Sequence, residues 1–186
     1  LLPAPVAVPG GRRPGGVHIA AGVIAPPPPA TTVRRVLGDR MIGIAAADHP
    51  LVTGRVTVAR FATAAHLSIS RTGQARGPID DRLALHGRTR RVVATVPNLT
   101  AALFAVQAGD LICPAPALLS RSALPALGLC AFEIPLPLPE VPIGMAWHPR
   151  NTADAGHRWL RELIAAVLAR TAGDGAAQDE GGLDKR

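Results

Sequence analysis

Residues Arg91–Ala117, RVVATVPNLTAALFAVQAGDLICPAPA, decide how the chain folds. A short β-rich run, Val92–Val96, breaks at Pro97-Asn98. An apolar helical run, Leu99–Ala108, stops at Gly109, and a second apolar run, Leu111–Cys113, is closed by Pro114. Strand, turn, helix, glycine stop and strand make one βαβ unit. Such a crossover is right-handed and places two parallel strands in one sheet. Open α/β sheets bind ligands outside the carboxyl ends of their strands, where the free N–H groups of a helix's first turn point. The turn after Asn98 is therefore a candidate place to hold something polar, and it carries no group for covalent chemistry.

A chain of 186 residues is enough for one ample core or two small lobes. Hydrophobic content is 48% but aromatics only 3%, so the core must be Ala, Val, Leu and Ile. No uninterrupted apolar run reaches the roughly 18 residues that a membrane-spanning helix needs. The opening Pro/Gly-rich run lacks the order of a secretory signal, and the chain begins at Leu1, as an excised domain would. The formal charge of +7 is carried by arginine, with Lys185 the sole lysine. Nucleic-acid binding is one reading of that balance. The arginines are nevertheless dispersed, clustering only at Arg12-Arg13, Arg34-Arg35 and Arg88/Arg90/Arg91, with no aromatics between them for base stacking. A solvated surface is the better reading. Cys113 and Cys130 have no CxxC partner, and two buried free thiols are preferred over a disulfide between them.

Along the chain, Val6–Val8 is a weak strand candidate and Val17–Ile24 a buried strand with Gly22 near its carboxyl end. Pro26–Pro29 must be extended. Val33–Val36 and Met41–Ala46 flank the turn dipeptide Gly38-Asp39, as a hairpin or consecutive strands. Val56–Phe61 is short and mixed, His66–Ser70 alternates as a half-buried strand, and Arg71-Thr72-Gly73 is a second ligand-facing loop. Pro78–Leu85 reads as a helix, with Pro78 near its start and Asp80 and Asp81 in its first turn. Leu118–Leu127 is weakly helical, Cys130–Ile134 and Ile143–Trp147 are strands, and Leu136–Pro142 connects them. In Ala153–Arg170 the residues Leu160, Leu163, Ile164, Val167 and Leu168 line one helix face, with Trp159 beside them and Arg158, Arg161, Glu162 and Arg170 opposite. This order fits two α/β lobes: residues 1–36 with 138–172, and residues 37–137, with a disordered tail over 173–186.

VHIAAGVIAPPPP, VLGDRMIGIAAADHPL, RVVATVPNLTAALFAVQAGDLICPAP and MAWHPRNTADAGHRWLREL, in that order from about Val17 to Arg170, resemble the effector-binding domain of LysR-type transcriptional regulators. The shared pattern is a glycine-ended strand, an HPL segment, a strand-Pro-helix-Gly-strand-Pro unit and a late Trp-His before the closing helix. The resemblance implies the fold of type 2 periplasmic binding proteins, two Rossmann-like lobes around a cleft joined by crossover strands. It implies a small-molecule coinducer, a carboxylate or an aromatic, in that cleft. DNA would be bound by a separate N-terminal winged helix-turn-helix that is expected to lie outside this chain, as are the first strand and helix of the effector domain. A cytoplasmic homodimer or tetramer is implied as well, with no membrane partner.

Residue by residue, the resemblance points to Pro97, Asn98, Leu99 and Thr100 at the middle turn, and to Ser70, Arg71 and Thr72 in the loop before it. It adds Gly22 and Val23 at the glycine-ended strand, and Pro114. Arg71 suits a bidentate grip on a carboxylate. Local roles stand beside these: Asn98 as a helix cap, Pro97 as a helix stop, Arg71 as a solvated loop charge. No G-x-S-x-G elbow, HExxH or P-loop is present, and the six histidines show no metal-ligand spacing. The chain is thus expected to be no enzyme and to need no cofactor or metal. The alternative is a stand-alone solute-binding protein or small enzyme on the same fold.

Overall fold

A computed structural model describes residues 19–24, 31–70 and 72–180, the last eight of them in backbone alone. The strand candidate at Val6–Val8, Pro26–Pro29, Arg71 and the end of the chain past Glu180 lie outside these residues. The described residues form two compact units, 39–141 and 19–38 with 142–180.

The middle unit is built on β3 (Met41–Ala46), β4 (Ala65–Ile69), β5 (Arg91–Val96), β6 (Leu111–Pro116) and β7 (Leu129–Glu133), in the order β5-β4-β6-β3-β7. Its helices are α1 (Val58–Thr63), α2 (Pro78–Leu85), α3 (Leu99–Gln107) and α4 (Ala117–Ser120). The βαβ unit is present, with β4 inserted between its strands: β5 and β6 each run parallel to β4. Side chains alternate across the sheet, so each face gathers its own core. Ala102, Leu103 and Val106 of α3 pack on Ile42, Ile44, Leu67, Ile69, Cys113 and Ala115. On the other face Phe61 of α1 and Ile79 and Leu83 of α2 pack on Ala45, Ile112 and Phe132. Gly43 is required here, because a Cβ on it would meet the Phe132 ring at 2.2 Å.

Four local expectations change. Strand β6 does not close at Pro114 but runs to Pro116. The Ala117 amide donates to the Arg40 carbonyl at 2.9 Å, and in an antiparallel ladder this turns the nitrogens of Pro114 and Pro116 away from β3. Their other side faces β4, whose ladder with β6 stops at Ile112, so no donor is missed. Of the two readings of Gly38-Asp39, consecutive strands holds and the hairpin falls: β2 (Thr32–Asp39) leads directly into β3, but the two belong to different sheets. Asp39 instead accepts from the amides of Arg40 at 2.7 Å and Leu118 at 2.9 Å, tying β2's end to α4. Val58–Thr63 is helical, capped by the Thr57 hydroxyl. The weak helix at Leu118–Leu127 is α4 and two short 3-10 turns ended by Gly128 at φ 63°, since Pro125 cannot donate within a longer helix.

The other unit pairs β1 (Ile19–Val23) with β8 (Val141–Trp147) antiparallel and completes a three-stranded sheet with β2, in the order β1-β8-β2. Its helix α5 (Ala155–Glu180) runs ten residues beyond Arg170, since no proline halts it. The face it buries is rotated from the predicted one: Ile164 packs on Met145 and Trp147, and Leu160 and Leu168 are half-buried. Trp159 is 67% exposed and Leu163 and Val167 are exposed, while His157, Arg161 and Ala165 are buried. The cause is Arg161, placed among the solvated residues by its charge. Its guanidinium lies 4.6 Å from the Trp147 ring centre, donates at 3.0 Å to the carbonyls of Asn151 and Thr152, and is 2.7 Å from His157 Nδ1. Its fork meets carbonyls and an aromatic face, which makes burial of the guanidinium tolerable. The Arg34–Glu162 pair at 2.6 Å is solvent-exposed and adds little.

Gly22 and Gly144 face each other across β1 and β8. A Cβ at Gly144 would come within 2.2 Å of the Arg34 carbonyl oxygen, a backbone atom that cannot swing aside. Gly144→Ala is therefore expected to cost about 1–3 kcal/mol in urea unfolding. Gly109→Ala, where the same atom would meet nothing within 4 Å, should change the midpoint little.

Candidate effector site

Strands β4 and β5 end side by side, with Ile69 opposite Val96. The Ser70 amide extends their ladder by one bond to the Val96 carbonyl, at 2.8 Å. This brings Ser70 next to Pro97-Asn98 and the start of α3. Asn98 is extended, and its side-chain oxygen accepts from the Ala101 amide at 2.9 Å, an N-cap. The Ala102 amide closes on the Asn98 carbonyl. The amides of Leu99 and Thr100 are then the first-turn donors for which the helix has no internal partner. They carry the partial positive charge of the helix start.

Ser70 is the unusual member. It is 5% exposed, and its hydroxyl has no hydrogen-bond partner. A buried hydroxyl left unsatisfied costs about 1–3 kcal/mol, which sets Ser70 apart from the other residues of this turn. Thr72, Pro97, Asn98 and Thr100 are exposed and Leu99 is half-buried. Pro114 is buried inside β6 opposite Gly43, as part of the sheet. Gly22, at φ 144°, and buried Val23 belong to the other unit, paired with Gly144 and Ile143. Of the predicted residues, then, the structure brings together Ser70 and Pro97–Thr100. Arg71 lies outside the described residues. An open groove of about 340 Å³ between α2 and the start of β5, lined by Arg76, Asp81, Ala84, Arg88 and Thr89 among others, contains none of the predicted residues.

The residues missed by sequence reasoning lie one layer below. Arg90, grouped with Arg88 and Arg91 as a basic cluster, has a side chain only 1% exposed. It grips Asp80 with a fork, Nε to Oδ1 at 3.1 Å and Nη2 to Oδ2 at 2.9 Å, while Nη2 also reaches the Ala75 carbonyl at 3.3 Å. Nη1 lies 3.4 Å from Nδ1 of His66, whose Nε2 donates to the Phe61 carbonyl at 2.8 Å. This is the tautomer a neutral imidazole needs between a guanidinium and a carbonyl. Burial, with the Arg90 charge assisting, pushes the His66 pKa down to about 4. Burial works to raise the Asp80 carboxyl, but the Arg90 hydrogen bonds and charge and the Gly77 amide outweigh it and hold it low. No local signal marks the pair: an Arg twenty-four residues after a strand histidine cannot be recognised as its partner without the β4–β5 register.

The remaining groups are structural. Nδ1 of His49 accepts from the Leu51 amide at 3.0 Å, and its Nε2 lies 3.3 Å from the Asp110 carbonyl, so the His-Pro-Leu segment staples the loop after β3 to the loop before β6. Cys113 and Cys130 are free; burial pushes the Cys113 thiol up to about 12 and raises that of half-buried Cys130. Neither is a poised nucleophile. Among the described residues no three His, Cys, Asp or Glu side chains gather to hold a metal. No helix among them is long and apolar enough to cross a membrane.

A mixed sheet with helices on both faces, a second smaller sheet, and a polar turn at parallel strand ends define an α/β ligand-binding fold of the type 2 periplasmic-binding-protein class. Residues 13–169 match the LysR substrate binding domain, and the chain belongs to that family. It is 29% identical over 150 residues to the transcriptional activator NahR of Pseudomonas putida, covering 81% of this chain and 50% of NahR. The chain spans about half the length of the curated relatives it matches. In structure it resembles the regulatory domain of MexT, a transcriptional activator in Pseudomonas aeruginosa, with TM-score 0.68, 23% identity and coverage of 81% and 72%. It also resembles the effector-binding domain of QuiR in complex with shikimate, with TM-score 0.64, 16% identity and coverage of 82% and 72%. The expected fold and family are borne out.

The His66 environment sets a pH dependence. Its folded pKa of about 4 lies below the ordinary 6.5, so between these values the unfolded chain binds a proton that the folded chain refuses. Stability is full above about pH 6.5 and falls toward pH 4, by up to about 1.4 kcal/mol per pH unit. The depressed Asp80 carboxyl adds a loss of the same sign at lower pH. Urea midpoints measured from pH 7.5 to 4.5 should drop accordingly, and His66→Gln should flatten the upper part of that slope.

Proposed function

We propose that this domain senses a small polar effector at the turn formed by Ser70 and Pro97–Thr100, and that occupancy controls DNA binding by a winged helix-turn-helix elsewhere in the full-length regulator. The buried, unpartnered Ser70 hydroxyl carries the reading. It lies at the carboxyl end of β4, beside the open amides of Leu99 and Thr100. A small carboxylate, with or without an aromatic ring, suits these donors: the helix start favours an anion and the serine adds a hydrogen bond. Shikimate bound to the QuiR domain is a carboxylate carrying hydroxyl groups. Asn98 fixes the helix start through Oδ1, which leaves its Nδ2 for the effector. Thr72, Arg71, Gly22, Val23 and Pro114 stay in the proposal on the family resemblance.

The protein acts as a sensor rather than an enzyme, in the cytoplasm and as a homodimer or tetramer. Family membership supports this over a stand-alone solute-binding protein or small enzyme. Binding of the effector shifts a population between two arrangements of the domain.

A thermal-shift screen of benzoate, shikimate and related carboxylates tests the site. At least one should raise the melting midpoint, and Ser70→Ala should weaken its binding about tenfold while raising the ligand-free midpoint, since it removes an unsatisfied buried hydroxyl. A stability loss of a kilocalorie or more in Ser70→Ala would show the hydroxyl to be bonded within the protein. Separately, the 186-residue chain titrated with duplex DNA should show no salt-sensitive binding, because its arginines are dispersed. A steep salt dependence would return nucleic-acid contact to this domain.

A further inference from the structure

Arg90 bonds to none of the described residues predicted to contact the effector, yet its bonds converge on the segment that follows Thr72. The segment 72–77, which leads into α2, is irregular and has no ladder of its own. Two of its backbone groups are held. The Ala75 carbonyl accepts from Arg90 Nη2, and the Gly77 amide donates at 2.8 Å to Asp80, whose two oxygens Arg90 also grips. Behind the guanidinium stands His66, on the same strand as Ser70 and four residues before it. Arg90 itself directly precedes β5, the strand that delivers Pro97 and Asn98. One buried side chain therefore joins the strand bearing Ser70, the loop bearing Thr72 and the strand bearing the α3 turn.

The geometry points to Arg90 as a positioning residue for the effector loop: its fork on Asp80 and its bond to Ala75 hold the Thr72–Gly77 segment in register with the turn at Pro97–Thr100. This rests on the effector reading above and names a residue that serves that site without touching it. A guanidinium is needed, because the contacts require donors in a plane pointing to a carboxylate, a carbonyl and an imidazole nitrogen at once. A lysine ammonium offers one point and cannot span them. With the clamp released, only the fraction of molecules with the loop in place is competent, and apparent affinity falls by that fraction.

Amide hydrogen exchange in the full-length protein, without effector, decides the clamp. In Arg90→Lys and Arg90→Met the amides of Thr72–Gly77 should exchange about tenfold faster, while β3 and β6 keep their protection. Equal acceleration throughout the unit, or none in the loop, would overturn the proposal. Where Arg90→Met does not fold, Arg90→Leu with Asp80→Asn removes both charges together and answers the same question. Benzoate and shikimate titrations form the second arm. Arg90→Lys should bind whichever of them binds the wild type about tenfold more weakly, as Ser70→Ala does, but unlike Ser70→Ala it should also loosen the loop. A loosened loop with wild-type affinity would overturn the link to the site. If neither carboxylate binds the wild type, the effector chemistry falls, and the exchange pattern still decides whether Arg90 clamps the loop.

Discussion

Parallel strands cannot be joined by a tight turn, and that constraint organises the middle unit. Strand β4 has a parallel neighbour on each side, β5 and β6, so each connection must cross the sheet through a helix. Every such crossover leaves a strand at its carboxyl end, and α3 starts directly there after β5. The end of β4 and the β5–α3 turn thus emerge on one edge of the sheet, bringing a buried serine hydroxyl beside open helix amides. Neither group is distinctive in the sequence. The topology is what makes them neighbours.

The same topology explains where charge is hidden. A loop leaving a parallel strand has no hairpin partner, so those of its backbone groups that are withdrawn from water need other partners, side chains among them. Arg90 and Asp80 do this for the loop before α2, and His49 does it for the loop before β6. Burying an ion pair brings little net stability, since desolvation offsets most of the attraction. What the Arg90–Asp80 fork supplies is definition: a single arrangement of a segment that would otherwise have many. A sensing domain gains from that, because a loop fixed in advance leaves the effector less ordering to do.

Much of the architecture was legible because strong local signals agreed with the fold. The α2 boundaries follow from Pro78 and the acidic first turn, and α3 lies between Asn98 and Gly109 as its cap and stop imply. Legibility failed where a residue's role depended on a distant partner. Gly38-Asp39 has the composition of a turn, yet Asp39 is spent on Leu118, 79 positions away. Pro114 reads as a strand stop, yet pairing on one side only makes proline harmless there. Within the candidate site the turn at Pro97–Thr100 was visible, whereas the burial of Ser70 was not. Alternation places a serine at a strand end in either environment, and only the packing of α3 and β5 decides which.

Arginine itself is the sharpest case. Read as composition, a chain with one lysine and a charge of +7 has a dispersed basic surface. Two of those arginines are instead interior parts, one in each unit: Arg90 on a carboxylate, a carbonyl and an imidazole, Arg161 on two carbonyls, an imidazole and an indole face. Both positions demand a flat, weakly hydrated cation with several donors in fixed directions, which lysine cannot supply. Arg161 makes its close contacts with backbone dipoles, an imidazole and an aromatic face, an arrangement that a more strongly hydrated ammonium would not accept. A preference for arginine over lysine thus does structural service here, and the basic charge counted from the sequence overstates what the folded surface offers to DNA.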